Sequence, residues 1–223
     1  MKRLLIAAAV LVGAASYAQE EYTTAVDAGK EADLVLTPSE ETQATLFYEG
    51  NFNGVNGLSS ERNTIVSDAR TYDDFCIPSG ATWHVTGIFG EFLANAVWTM
   101  AHWEIRSGVA VGTGGTLVVD CPGSGADRVA TGRSGFGFIE YRGTATADFT
   151  LGPGPVCYHM TVAPIGDGNG RAFVSTTSGV NGVGQRIDDN TFFDSTFFGV
   201  NWGRAHDQTG PSDFAFGLEG DSI

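Results

Sequence analysis

The residue types best suited to chemistry in this chain are its four histidines, His84, His102, His159 and His206, and its clustered carboxylates. No two histidines have the H-E-x-x-H spacing, so no helix face offers a ready zinc pair. His102 and Glu104 lie two residues apart in "VWTMAHWEIRS" and so share one face of a strand, with His159 a candidate to lie across from them. A metal or acid–base site there competes with the commoner role of a histidine, solvated or hydrogen-bonded in place.

Nucleophilic chemistry finds less support. In "GRSGFG", residues 132–137, Phe136 stands where G-x-S-x-G requires glycine, and the strand-to-helix setting is missing. The clusters "GTGG", "GDGNG" and "GVNGVG" have no following helix to make a phosphate cradle, and read as turns. Asp73 and Asp74 in "TYDDFCI" are adjacent on a strand and point to opposite faces, so they cannot flank one glycosidic bond as a catalytic pair. The expectation is a protein without a catalytic site.

Binding chemistry leaves two candidates. "GDGNGR" and "RIDDNTFFD" supply Asp167, Asn169, Asp188 and Asp189, hard oxygen ligands on loops, and calcium is the cofactor such a set would hold. The EF-hand spacing breaks at Arg171, and Asp and Asn are also ordinary turn residues. Trp98, with Met100 and His102 on one strand face and Glu104 and His159 nearby, would make a sugar-stacking platform if exposed. A two-layer sandwich that covers the ring is the competing reading.

The elements that must position these residues are strands. From Ala44 onward, short apolar runs alternate with Gly, Asn, Asp and Pro clusters, the rhythm of an all-β antiparallel two-sheet sandwich, jelly-roll-like, over residues 44–223. Alternation places Val97, Ala101, Trp103 and Ile105 on a core face. It does the same for Val156, Tyr158, Met160 and Val162, and for Phe214, Phe216 and Leu218, with Asp213, Ala215 and Gly217 outward. In "TYDDFCIPSGATWHVTGIFGEF", Phe75 and Ile77 face the core, "PSGA" turns the chain, and Trp83 and Val85 return to the core. Gly87 is the expected bulge that brings Ile88 back into phase.

Ahead of the domain, Lys2 and Arg3 precede an apolar stretch from Leu4 to Ala15 and small residues at Ser16 and Ala18. That is a signal peptide over 1–18, too short for a comfortable membrane span. Residues 19–43 read as an acidic leader strand or loose arm. With the leader removed, ten basic residues face 26 acidic ones, a net charge of −16. Such a surface repels phosphate backbones and excludes nucleic acid as a partner. Three cysteines allow one internal bridge. Cys121 with Cys157 is the expected pair, because both lie near strand ends whereas Cys76 reads as strand interior.

The stretches "ARTYDDFCIPSGATWHVTGI" and "FGVNWGRAHDQTGPSDFAFGLEG" resemble a widespread group of exported bacterial β-sandwich domains of jelly-roll type. In that group a D-D-F-x-[VI]-P strand precedes a G-x-x-W-x-[VI]-T strand, and D-F-A-F-x-[LI]-x-G closes the fold. The resemblance spans most of residues 44–221 and implies a domain often found in sorted surface proteins, mostly of unassigned function, with no catalytic residues to carry over. Together these readings predict a secreted, extracellular or periplasmic non-enzymatic module with a structural or binding role. Its expected partners are glycans or envelope components, and a carbohydrate-binding module with a structural calcium is the alternative. A hydrolase with a scattered site is the weaker third reading.

Overall fold

The computed structural model describes residues 25–27 and 44–223, except 167 and 169. The expected signal peptide, most of the acidic leader, and Asp167 and Asn169 lie outside the described residues. The strands, in chain order, begin with β1 (Ala25–Asp27), β2 (Thr45–Tyr48), β3 (Phe52–Ser59), β4 (Arg70–Ile77) and β5 (Trp83–Ala94). Next come β6 (Trp98–Ser107), β7 (Thr116–Gly125), β8 (Val129–Gly135), β9 (Phe138–Leu151) and β10 (Val156–Gly166). The last are β11 (Ala172–Thr177), β12 (Phe192–Ser195), β13 (Val200–Arg204), β14 (Asp213–Phe214) and β15 (Phe216–Ser222), with one helical turn, α1 (His206–Thr209), before β14.

The strands form two antiparallel sheets. Eight of them divide between the sheets so that β3-β11-β5-β9 lie in one and β4-β10-β6-β7 in the other. That order is a jelly roll, two Greek keys folded into a sandwich. The first sheet is widened by β1, β2, β8, β14 and β15, and the second by β12 and β13.

The core follows the alternation for most of the chain. Phe75, Ile77, Trp83, Val85, Ile88, Met160, Val162, Phe214, Phe216 and Leu218 all pack between the sheets, with Phe75 and Trp83 stacked at 6.1 Å. The register of β5 against β9 slips between Val85 and Gly87. Gly87 is thus the bulge that keeps Ile88 inward. Asp213, Ala215 and Gly217 do face away from this core yet are buried, Ala215 in a second apolar layer with Phe89 and Tyr48 and Asp213 beneath the amides of Asp188 and Asp189. The Phe89 ring lies so close to Gly217 that a Cβ there would meet it at 2.2 Å.

Two expectations are corrected. Val97 is 55% exposed and Trp98 is 3% exposed, the reverse of the expected phase. Opposite Ile165 and Gly166 of β10, β6 presents Met100 and Trp98, so Thr99 is an extra residue that flips the alternation. The disulfide is Cys76–Cys157, and Cys121 is free. Cys76 and Cys157 are direct partners across the β4–β10 ladder, whereas β6 separates Cys121 on β7 from β10. Cys76 and Cys157 each lie one residue inside a strand end and Cys121 lies in mid-strand, so the pairing of β4 with β10 is what set the sulfurs opposite each other.

Candidate functional site

The outward face of the second sheet carries Tyr72 and Asp74 on β4, His159 and Thr161 on β10, and His102, Glu104 and Arg106 on β6. Glu104 is 2% exposed and fully engaged. Arg70 donates to it at 3.1 Å and Arg106 at 2.8 Å, and the Tyr72 hydroxyl makes a short hydrogen bond to it. Although burial disfavours its charge, these donors together hold its carboxyl below the usual range, whereas burial and the Glu104 charge push the Tyr72 hydroxyl well up. Arg106 also lies over the Trp202 ring at 5.0 Å, and Trp202 packs on Tyr72 at 4.6 Å.

His102 bonds Asp120 at 2.9 Å. Among the described residues, His102, Glu104 and Asp120 are the group whose ligand atoms all lie within 4.8 Å of one another. A cation there would meet two guanidinium groups already neutralising Glu104, so the geometry is that of an ion-pair cluster. His159 is elsewhere. Its register partners are Arg106 and Asp74, its ring nitrogen faces the Asn190 carbonyl at 3.2 Å, and its ring packs on Phe192 at 5.3 Å. Burial lowers its pKa. Trp98 belongs to the core: its ring meets Phe92 and Tyr141, and its N–H donates to the Asp127 carbonyl at 2.8 Å. Trp98, His102, Glu104 and His159 therefore do not form one platform, and the indole offers no free face to a sugar.

A second concentration of charge lies at the seam of the two sheets, where β4, the end of β2, β14 and the loop 186–190 meet. Asp73 faces inward and accepts the N–H of Phe214 at 2.5 Å and that of Asp74 at 2.8 Å. Glu49, directly after β2, accepts the Arg186 N–H at 2.8 Å on Oε1, while its Oε2 is buried with no donor. Asp213 accepts the N–H groups of Asp188 and Asp189 at 3.2 and 3.0 Å. Arg186 reaches Asp74 at 2.9 Å and Asp188 at 2.5 Å. Of these five carboxyl groups, the Arg186 guanidinium thus pairs with two. Burial, reinforced by Asp213, Asp74 and Asp188, pushes the Glu49 carboxyl up to about 9. Burial, then Glu49 and Asp213, drives Asp73 upward as well.

Of the calcium candidates within the described residues, Asp188 pairs with Arg186, and Asp189 pairs with His206 at 2.8 Å and caps the Ser212 N–H at 2.9 Å. Asp167 and Asn169, the other two candidates, lie outside the described residues. The seam carboxyls were only half legible in the sequence. Asp73 and Asp74 stand out, but Glu49 follows "LFY" as an ordinary strand end, and Asp213 occupies an outward position by alternation. Comparison with protein-family models, with curated proteins and with solved structures finds no match. Among the described residues, no helix is long and apolar enough to cross a membrane.

Proposed function

We propose that this chain is an exported, non-enzymatic β-sandwich module with a structural or binding role in or outside the cell envelope. The observation that carries the reading is the Cys76–Cys157 bridge, which joins strands 81 residues apart in sequence within the sandwich. Structural disulfides persist in oxidising compartments and are rare in the cytosol, which fits the leader read at residues 1–18. The resemblance to exported jelly-roll domains points the same way. The polar clusters add support for a non-catalytic role, since Glu104 and His159 are engaged in fixed hydrogen bonds within the sheet.

The test is secretion from a host with an export pathway, followed by thiol counting and a glycan array with and without calcium. Export with one free thiol per chain and retention of a glycan or envelope component supports the reading. Recovery in the cytoplasm with three free thiols removes the export reading, and turnover of a glycoside or ester panel removes the non-enzymatic one.

A further inference from the structure

We infer that the Cys76–Cys157 bridge is a thiol–disulfide exchange site, opened by an external dithiol at Cys157 while Arg186 holds Cys76 as the leaving thiolate. The first support is access. Phe75 and Ile77 point into the core, so the bridge lies on the outward face of the β4–β10 ladder, with Cys157 exposed and Cys76 half-buried. Of the two sulfurs, Cys157 is the one an incoming thiolate reaches first. The second is a cationic donor aimed at sulfur. Arg186 NH1 lies 2.9 Å from Cys76 Sγ and 4.0 Å from Cys157 Sγ. Its Nε lies 2.9 Å from Asp74 and its NH2 pairs with Asp188, so two carboxylates fix the guanidinium and leave NH1 to the bridge. A sulfur in a disulfide is a weak acceptor, whereas a thiolate is an anion, so this contact gains most of its strength only when the bridge opens. A neighbouring cation favours the thiolate, and a stabilised thiolate leaves faster.

The step balances as an exchange. One thiolate of the dithiol attacks Cys157 Sγ and forms a mixed disulfide. The Cys76–Cys157 bond breaks, and its electron pair passes to Cys76 Sγ beside Arg186. The second thiol of the reductant loses its proton, attacks the reductant's own sulfur in the mixed disulfide, and releases Cys157, which takes up a proton. The dithiol departs as a disulfide, and two electrons have passed to the protein. Exchange involves the same bridge that supports export, yet the two fail separately. Three free thiols in the isolated exported protein remove both, whereas a bridge that is present and inert removes exchange alone.

The experiment uses the whole secreted chain carrying Cys121→Ser, so that only the bridge responds, in native buffer at neutral pH. Dithiothreitol opens the bridge, and alkylation with peptide mapping follows each sulfur. Glutathione, a monothiol, leaves the mixed disulfide to be trapped with acid. The expected result is opening far below the melting temperature, glutathione on Cys157, and faster alkylation of half-buried Cys76 than of exposed Cys157 once both are reduced. Arg186→Gln should slow opening by about tenfold, since it removes the cation that stabilises the leaving thiolate, and Arg186→Lys should restore part of the rate. If Arg186→Gln fails to fold or melts lower, the order of alkylation in the parent decides. Opening only as the chain unfolds, glutathione on Cys76, or alkylation of Cys157 ahead of Cys76 overturns the proposal. So does an Arg186→Gln protein that melts with the parent and opens as fast.

Discussion

Asp73 on β4 accepts the main-chain N–H of Phe214 on β14 at 2.5 Å, a hydrogen bond between residues 141 apart in the chain. The aspartate of the "DDF" stretch is therefore a clasp that holds the closing strands against β4. Removing the acceptor leaves a buried N–H unpaired, which costs about 1–3 kcal/mol. Asp73→Ala should lose at least that much in urea unfolding. Asp73→Asn keeps an acceptor and removes a crowded charge, so it should lose clearly less. Equal losses in the two variants would show that the carboxylate charge, not the clasp, is what the fold needs.

Cys76 and Cys157 face each other across β4 and β10. Cys76→Ser should destabilise the oxidised protein by about 2–4 kcal/mol, the usual range for a bridge closing a long loop. Cys121→Ser, at a half-buried position on β7, should stay within about 1 kcal/mol, as mild substitutions away from a special feature do. Denaturant midpoints under oxidising and reducing conditions distinguish the two, because reduction should bring wild type down to Cys76→Ser.

Trp98 and Val97 exchange the places that simple alternation gives them. Trp98→Ala should cost about 3–5 kcal/mol, as truncation of a large core side chain does. Val97→Ala, at an exposed position, should stay within about 0.5 kcal/mol. Equilibrium unfolding of both variants checks the extra residue at Thr99, since without it the two costs would be reversed.

Stability should also pass through a maximum in mildly acidic solution. Glu104 has a lowered pKa, so its contribution is present above its ordinary value of 4.5 and is lost as pH falls below it. Glu49 is raised from 4.5 to about 9, and Asp74 from 3.8 to about 6, by burial and neighbouring carboxylates. Each binds its proton more tightly when folded, so stability falls as pH rises through those windows, by up to about 1.4 kcal/mol per pH unit for each proton taken up on folding. Urea midpoints measured from pH 4 to 9 should decline on the alkaline side in wild type and decline less in Glu49→Gln. A profile flat over that range would refute the assignment of strain to Glu49.

The sequence by itself determined the class of fold and most of the core. Period-two alternation in "DDFCI", "TWHVTGI", "PVCYHMTV" and "DFAF" is a local property, and a residue on a pleated strand has only two faces to choose from. The same local logic located the bulge at Gly87 and showed that Asp73 and Asp74 diverge. What tertiary structure alone decided was everything that depends on which strands are neighbours. The extra residue at Thr99 exists only relative to β10, and it sent Trp98 into the core. The Cys76–Cys157 bridge follows from the β4–β10 ladder, not from nearness to strand ends. The seam draws Glu49 from the end of β2, Asp73 from the middle of β4 and Asp213 from the start of β14, and no spacing in the chain announces it. Register and sheet order are non-local pairings, so the chemistry they assemble becomes visible only once the chain has closed.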